Sequence, residues 1–135
     1  MRVVLDTNVI VSGLLVGEGS CGCVLDLLFE GNLELCADDR ILHEYETVLP
    51  RPMFKFRPEK VVRTLDLIRL KAEHVEAQPL AVIMSDPTDR PFLEVAAAAD
   101  AILVTGNVKH FPKHARAGVT VMTPKEFLDS LRGAS

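Results

Sequence analysis

Apolar residues along this chain occur in two patterns. Some form unbroken runs of three to five residues, and others recur three or four positions apart. Val3-Val4-Leu5 is a short, β-branched run and predicts a buried first strand. Asp6-Thr7-Asn8 follows at once, where a turn or short helix is expected to begin. Val24, Leu25, Leu27 and Leu28 have helical spacing over residues 21–30, with Ser20 as cap and Gly31 as stop. Leu33, Leu35 and Cys36 suggest a second strand. A helix capped by Asp38 or Asp39 is expected to run through about Leu49, where Pro50 and Pro52 end it.

Pro58 starts a further helix expected to reach His74, with Val61, Val62, Leu65, Ile68 and Leu70 as its apolar positions. Residues 75–88 are less defined, and Leu80 to Met84 reads as a strand or a buried connector. A helix from about Asp89 to Ala99 carries Phe92, Leu93 and Ala96. Ala101 to Val104 and Val119 to Met122 read as strands. Pro124 starts a last helix through Leu131, and the end from Gly133 to Ser135 is expected to fray. Short apolar strands alternating with helices predict an α/β domain with a mostly parallel sheet. One domain over residues 1–132 is expected, with no internal repeat, low-complexity segment or linker.

Composition narrows this picture without redirecting it. A chain of 135 residues, 48% hydrophobic and 25% charged, is ordinary for a globular domain and can bury a core without staples. No apolar run exceeds five residues, against the roughly 20 that a membrane span needs. Asp6 interrupts the N-terminal apolar run too early for a signal peptide. A cytoplasmic, non-membrane protein is therefore expected. Cys21, Cys23 and Cys36 are odd in number and give one C-x-C pair, which argues against both a disulfide framework and a zinc site. Nineteen acidic residues against 15 basic ones leave a net charge of −4, so bulk charge would not hold nucleic acid. An acidic site neutralised by metal is compatible with that balance.

Three carboxylates fall where a carboxylate is costly. Asp6 directly follows the first strand, and Thr105-Gly106-Asn107 directly follows the Ala101–Val104 strand. In a parallel sheet both ends point to the edge where ligands bind. Glu44 has Ile41 three residues before it and Val48 four after, which places it at the border of a buried stripe. Asp89 begins the stripe of Phe92, Leu93 and Ala96. A carboxylate turned toward a core costs several kcal/mol unless paired or coordinated. A single divalent cation would explain all three, and oxygen ligands suit Mg2+ or Mn2+. Such a site fits metal-assisted phosphodiester hydrolysis. Each residue also has a plainer role: Asp6 as a turn cap, Glu44 as a stripe-edge surface residue, Asp89 as a helix N-terminal acid. Asp86 reads first as a turn or N-cap residue. Asn8 and Thr105 are turn formers by default and candidate orienters of carboxylates.

Four segments carry a family resemblance. They are Val3-Val4-Leu5-Asp6-Thr7-Asn8-Val9, Ile41-Leu42-His43-Glu44-Tyr45, Asp86-Pro87-Thr88-Asp89-Arg90-Pro91-Phe92-Leu93 and Leu103-Val104-Thr105-Gly106-Asn107. In order and spacing they resemble PIN domains, the nuclease fold of many bacterial toxin–antitoxin toxins, and within it the VapC-like toxin-component group. The resemblance implies a three-layer α/β/α fold with a central, mostly parallel sheet. It also implies an acidic pocket for Mg2+ or Mn2+, and RNA cleavage by a metal-activated water. Asp6, Glu44 and Asp89 match the family's acidic positions. The fourth position is usually Asp and here is Asn107, which removes one charge and should weaken cation affinity. Arg40, Arg90, Lys109 and His110 are candidate RNA contacts, with solvated surface charge as the plainer reading for each. An antitoxin partner and a homodimer or higher oligomer follow by resemblance.

Two rival classes remain in view. A PIN-like module that grips RNA or protein without cutting is favoured by Asn107. A phospho-acceptor receiver domain or a haloacid-dehalogenase-like phosphatase is disfavoured. The first would need an acidic neighbour before Asp6 and an Asp ending a middle strand, and the second needs D-x-D where this chain has Asp6-x-Asn8.

Overall fold

A computed structural model describes residues 1–82, 84 and 86–133. Five strands form one parallel sheet: β1 (Arg2–Leu5), β2 (Glu34–Ala37), β3 (Glu73–His74), β4 (Ile102–Val104) and β5 (Val121–Met122), in the order β3-β2-β1-β4-β5. Six helices connect them: α1 (Thr7–Leu15), α2 (Ser20–Phe29), α3 (Asp39–Val48), α4 (Pro58–Lys71), α5 (Arg90–Ala99) and α6 (Pro124–Gly133). Consecutive strand residues point to opposite faces. Val3, Val4, Leu5, Leu35, Cys36, Leu103 and Val104 are all fully buried, so helices cover both faces. Helix α2 packs on both α1 and α6, and α3 packs against α4 and α5, with α5 lying across β1, β2 and β4. This is the expected α/β/α architecture. Among the described residues no single helix is long and apolar enough to cross a membrane.

Chain order reverses between β1 and β4, and crevices at such reversals are where parallel sheets bind ligands. Asp6 leaves β1 at this point, its backbone N–H donating to the Val104 carbonyl of β4 at 3.0 Å. Tyr45 of α3 reaches the same place from behind. Its hydroxyl donates to the Leu5 carbonyl at 2.6 Å, and its ring is fully buried against Phe92. The end of β1 is thus anchored from two directions.

Local rules account for most boundaries. Asp38 caps α3, its side chain accepting from the Ile41 N–H at 3.1 Å. Gly31, at φ 86°, ends the α2 segment in the left-handed conformation that glycine adopts cheaply. Ser20 begins α2 itself and makes no side-chain cap, which corrects its expected role. Two further expectations are overturned. The Pro58 helix stops at Lys71 and does not reach His74. Glu73 and His74 form the edge strand, paired with Cys36 and Ala37. Val62 and Leu70 are not buried positions of α4, being 58% and 81% exposed. The buried stripe is Val61, Thr64 and Ile68. At about 100° per residue, Val62 lies a quarter turn from that stripe and Leu70 opposite Val61.

Leu80, Val82 and Met84 pack on the core without strand pairing, so among the described residues this segment is the buried connector. Ile83, and Ala134 and Ser135 of the expected frayed end, lie outside the described residues.

Candidate active site at the sheet's carboxyl edge

The acidic residues named from the sequence come from three distant segments. Asp6 follows β1, Glu44 lies on α3, and Asp89 closes a 3-10 turn (Pro87–Asp89) before α5. Asp6 and Asp89 are buried and Glu44 is half-buried. Each one has a side-chain partner. The Asp6 carboxylate accepts from the Thr105 hydroxyl at 2.8 Å and from the Asn8 amide at 3.3 Å. The Thr7 hydroxyl donates to Glu44. An Asp89 oxygen lies 3.1 Å from Nδ1 of His110. Asn8 also accepts from the Gly106 N–H at 3.0 Å, close enough that a methyl group on Gly106 would lie 3.3 Å from the Asn8 side-chain oxygen.

Burial sets the electrostatics. It pushes the Asp6 carboxyl above the ordinary carboxylate value, against the pull of its Thr105 bond. Glu44 is raised first by burial, then by repulsion from Asp6 and Asp86. Asp89 is raised to about 6, first by burial and then by the charge on Asp6, with His110 opposing. Asp86 is the exception. It caps the 3-10 turn, accepting from Thr88, and those bonds lower its pKa. The cluster is one of crowded, desolvated anions whose repulsion a cation would relieve.

This donor chemistry fits a hard divalent ion, since every candidate donor is an oxygen. Among the described residues, however, no three carboxylate, imidazole or thiol groups already stand close enough to close on one ion. Asp6, Glu44 and Asp89 would have to turn toward one another from their Thr105, Thr7 and His110 partners. Asn107 sits on an exposed turn, its backbone N–H donating to the Thr105 hydroxyl at 3.0 Å. It thereby orients the threonine that orients Asp6.

The four cationic candidates fare differently. Arg40 is spent on Asp38 and on the buried Glu94, at 2.7 Å to each. Arg90 donates to the Leu80 carbonyl at 2.9 Å. Lys109 is exposed, and His110 is held by Asp89.

Glu44 and Asp89 line a groove of ≈ 720 Å³, one wall of which is α3 and the segment after it. Arg40, His43, Glu44, Thr47, Val48 and Arg51 all line it, at helical spacing. Sequence reasoning missed His43, Thr47, Arg51 and Phe54, although this polar stripe beside the apolar one was visible signal. Thr7 was missed too, as a residue of no special pattern.

The family model of the PIN domain matches residues 2–109, and the chain belongs to the PIN domain family. An uncharacterised protein of Methanocaldococcus jannaschii, MJ1680, is 26% identical over 140 residues, covering 96% of this chain and 90% of that one. The structure is also similar to VapBC-1 from nontypeable Haemophilus influenzae (TM-score 0.60, 18% identity, 93% and 99% of the two chains). VapBC2 from Rickettsia felis, solved bound to a DNA fragment from its promoter, gives a TM-score of 0.57 at 19% identity, covering 90% and 97%. At such identities these two likenesses speak for the fold.

Proposed function

We propose that this chain is a Mg2+- or Mn2+-dependent ribonuclease, cytoplasmic and the toxin of a toxin–antitoxin pair, formed by one PIN unit over residues 1–132. The observation that carries this reading is the approach of Asp6, Glu44 and Asp89 at the switch point of the sheet, each desolvated, with the charge on Asp6 raising the pKa of both Glu44 and Asp89. Carboxylates so placed cost stability without a counter-charge, and a family built around nucleases supplies the reason to keep them.

In this reading Asp6, Glu44 and Asp89 hold the ion, and a bound divalent cation supplies Lewis-acid polarisation of a phosphoryl oxygen and a more acidic water. Thr105, Thr7 and Asn8 hold the carboxylates through the hydrogen bonds above until an ion draws them together. Without the ion the Asp89 carboxyl is held near 6, and a cation on it would favour the ionised form. His110 keeps Asp89 turned toward it. The toxin role and an antitoxin partner are supported by likeness to VapBC assemblies, and a homodimer is the simplest assembly for such a chain.

Incubation of labelled RNA with purified protein and Mn2+ at neutral pH tests this. Cleavage is expected, and Asp6→Asn should abolish both cleavage and Mn2+ binding by calorimetry. No cleavage by the wild type, or undiminished cleavage by the variant, would sink the reading. A second reading, a PIN-like module that binds RNA or protein without cutting, is favoured by Asn107 in place of a fourth carboxylate. In that case RNA binding survives while Mn2+ brings no cleavage.

A further inference from the structure

The segment joining α3 to α4 is absorbed by none of the above. Residues 51–60 read Arg-Pro-Met-Phe-Lys-Phe-Arg-Pro-Glu-Lys, with four cations, one anion and two phenylalanines, in a chain of net charge −4. It is a built loop. The Arg51 N–H donates to the Val48 carbonyl at 3.1 Å, and a 3-10 turn (Pro52–Phe54) is closed by Lys55 at φ 57°. The rings of Phe54 and Phe56 stack at 5.8 Å, 27° apart. Lys60 sits 5.4 Å over the Phe56 ring and donates to the Leu14 carbonyl at 3.1 Å, tying the loop to α1.

Arg51 and Phe54 line the same groove as Glu44 and Asp89. Unlike Arg40 and Arg90, the exposed Arg51 side chain forms no hydrogen bond or ion pair among the described residues, although it is near enough for its charge to pull the Glu44 pKa down. Lys55 and Arg57 are exposed beside it. An uncommitted guanidinium next to an aromatic ring suits a ligand that alternates an anion with a planar face. An acidic peptide supplies the anion, but a ring face only where it happens to carry an aromatic residue. A single nucleic-acid strand supplies both.

We infer that this connector is a single-stranded RNA platform, on which Arg51 takes a backbone phosphate and Phe54 stacks a base, a short distance along the groove from the carboxylates. The inference rests on the nuclease reading for its direction along the groove, but its test does not need cleavage.

Fluorescence anisotropy with a labelled single-stranded RNA oligonucleotide, on the full chain carrying Asp6→Asn, measures binding alone. Adding Arg51→Gln should weaken binding about tenfold and reduce the dependence of log K on log salt by about 0.7, one single-strand phosphate contact. Adding Phe54→Leu should weaken it by about tenfold with the salt slope unchanged. Arg51 is exposed, so its variant folds even if Phe54→Leu does not. Affinity for RNA that is unmoved by Arg51→Gln overturns the platform, as does an oligonucleotide that does not bind at all. It is also overturned if polyglutamate, and not RNA, is what Arg51→Gln releases, which would make the groove a protein site. If wild-type protein cuts RNA while Arg51→Gln leaves affinity intact, the platform fails and the nuclease stands. If the variants lose RNA but Mn2+ brings no cleavage, the nuclease fails and the platform stands.

Discussion

The carboxylate cluster and the connector between α3 and α4 hold charge in opposite ways. At the sheet edge Asp6 and Asp89 are 6% and 7% exposed, in fixed hydrogen bonds, and repel one another. On the connector Arg51, Lys55 and Arg57 stand in solvent on a loop fixed by backbone bonds and ring stacking. Burying charge costs free energy, so the acid cluster demands a counter-ion and its geometry must come from the fold. Exposed cations cost little, so these three can change without unfolding the chain. The difference teaches where function and stability conflict in this protein: at the carboxylates and not at the cations.

The largest test of that contrast is Asp89→Asn. Cleavage in Mn2+ should fall on the order of 10³-fold, because metal assistance contributes several kcal/mol. Metal-free stability should move the other way. Asp89 has a pKa of about 6 when folded, above the ordinary 3.8, so the folded chain holds its proton at higher pH than the unfolded one. That contribution is fully present below about pH 4 and is lost as pH rises through about 6. Urea melts of metal-free protein at several pH values should show a flatter pH slope for Asp89→Asn than for wild type. An unchanged slope would mean that Asp89 is not strained.

Two arginines sharpen the contrast next. Arg40→Ala leaves Glu94, 3% exposed, with only the Leu80 N–H at 2.7 Å as partner among the described residues. A loss of about 2 kcal/mol in a denaturant melt is expected, below the usual cost of a broken buried pair because Arg40 is itself half-exposed. Arg51→Ala should stay within about 0.5 kcal/mol of wild type. Equal losses would erase the distinction between a structural and an uncommitted arginine.

Smaller effects follow behind the site. Tyr45→Phe removes the hydroxyl that satisfies the Leu5 carbonyl, at an expected cost of about 1–2 kcal/mol by thermal melt. Gly106→Ala sets a methyl 3.3 Å from the Asn8 oxygen, which must shift by a few tenths of an ångström. Its stability cost should be under about 1 kcal/mol, with a larger effect on Mn2+ affinity than on melting, because Asn8 also touches Asp6.

The sequence by itself determined the alternation of strand and helix and the acidic positions after β1, on α3 and before α5. Contiguous apolar runs, helical stripes and proline stops are local signals, and the motif segments are short. Tertiary structure decided what depends on partners far along the chain. Glu73-His74 has no strand propensity and is a strand only because the edge of β2 offers it hydrogen bonds. Arg40 and Arg90 looked available until folding brought them to Glu94 and Leu80, and Arg51 is available because folding brought it near the charge of Glu44 but, among the described residues, to no hydrogen-bond or ion-pair partner. Thr7 binding Glu44 and Thr105 binding Asp6 span 37 and 99 positions. Local pattern fixes which face a side chain takes on its own element. Only the packing of elements fixes which charge it meets there.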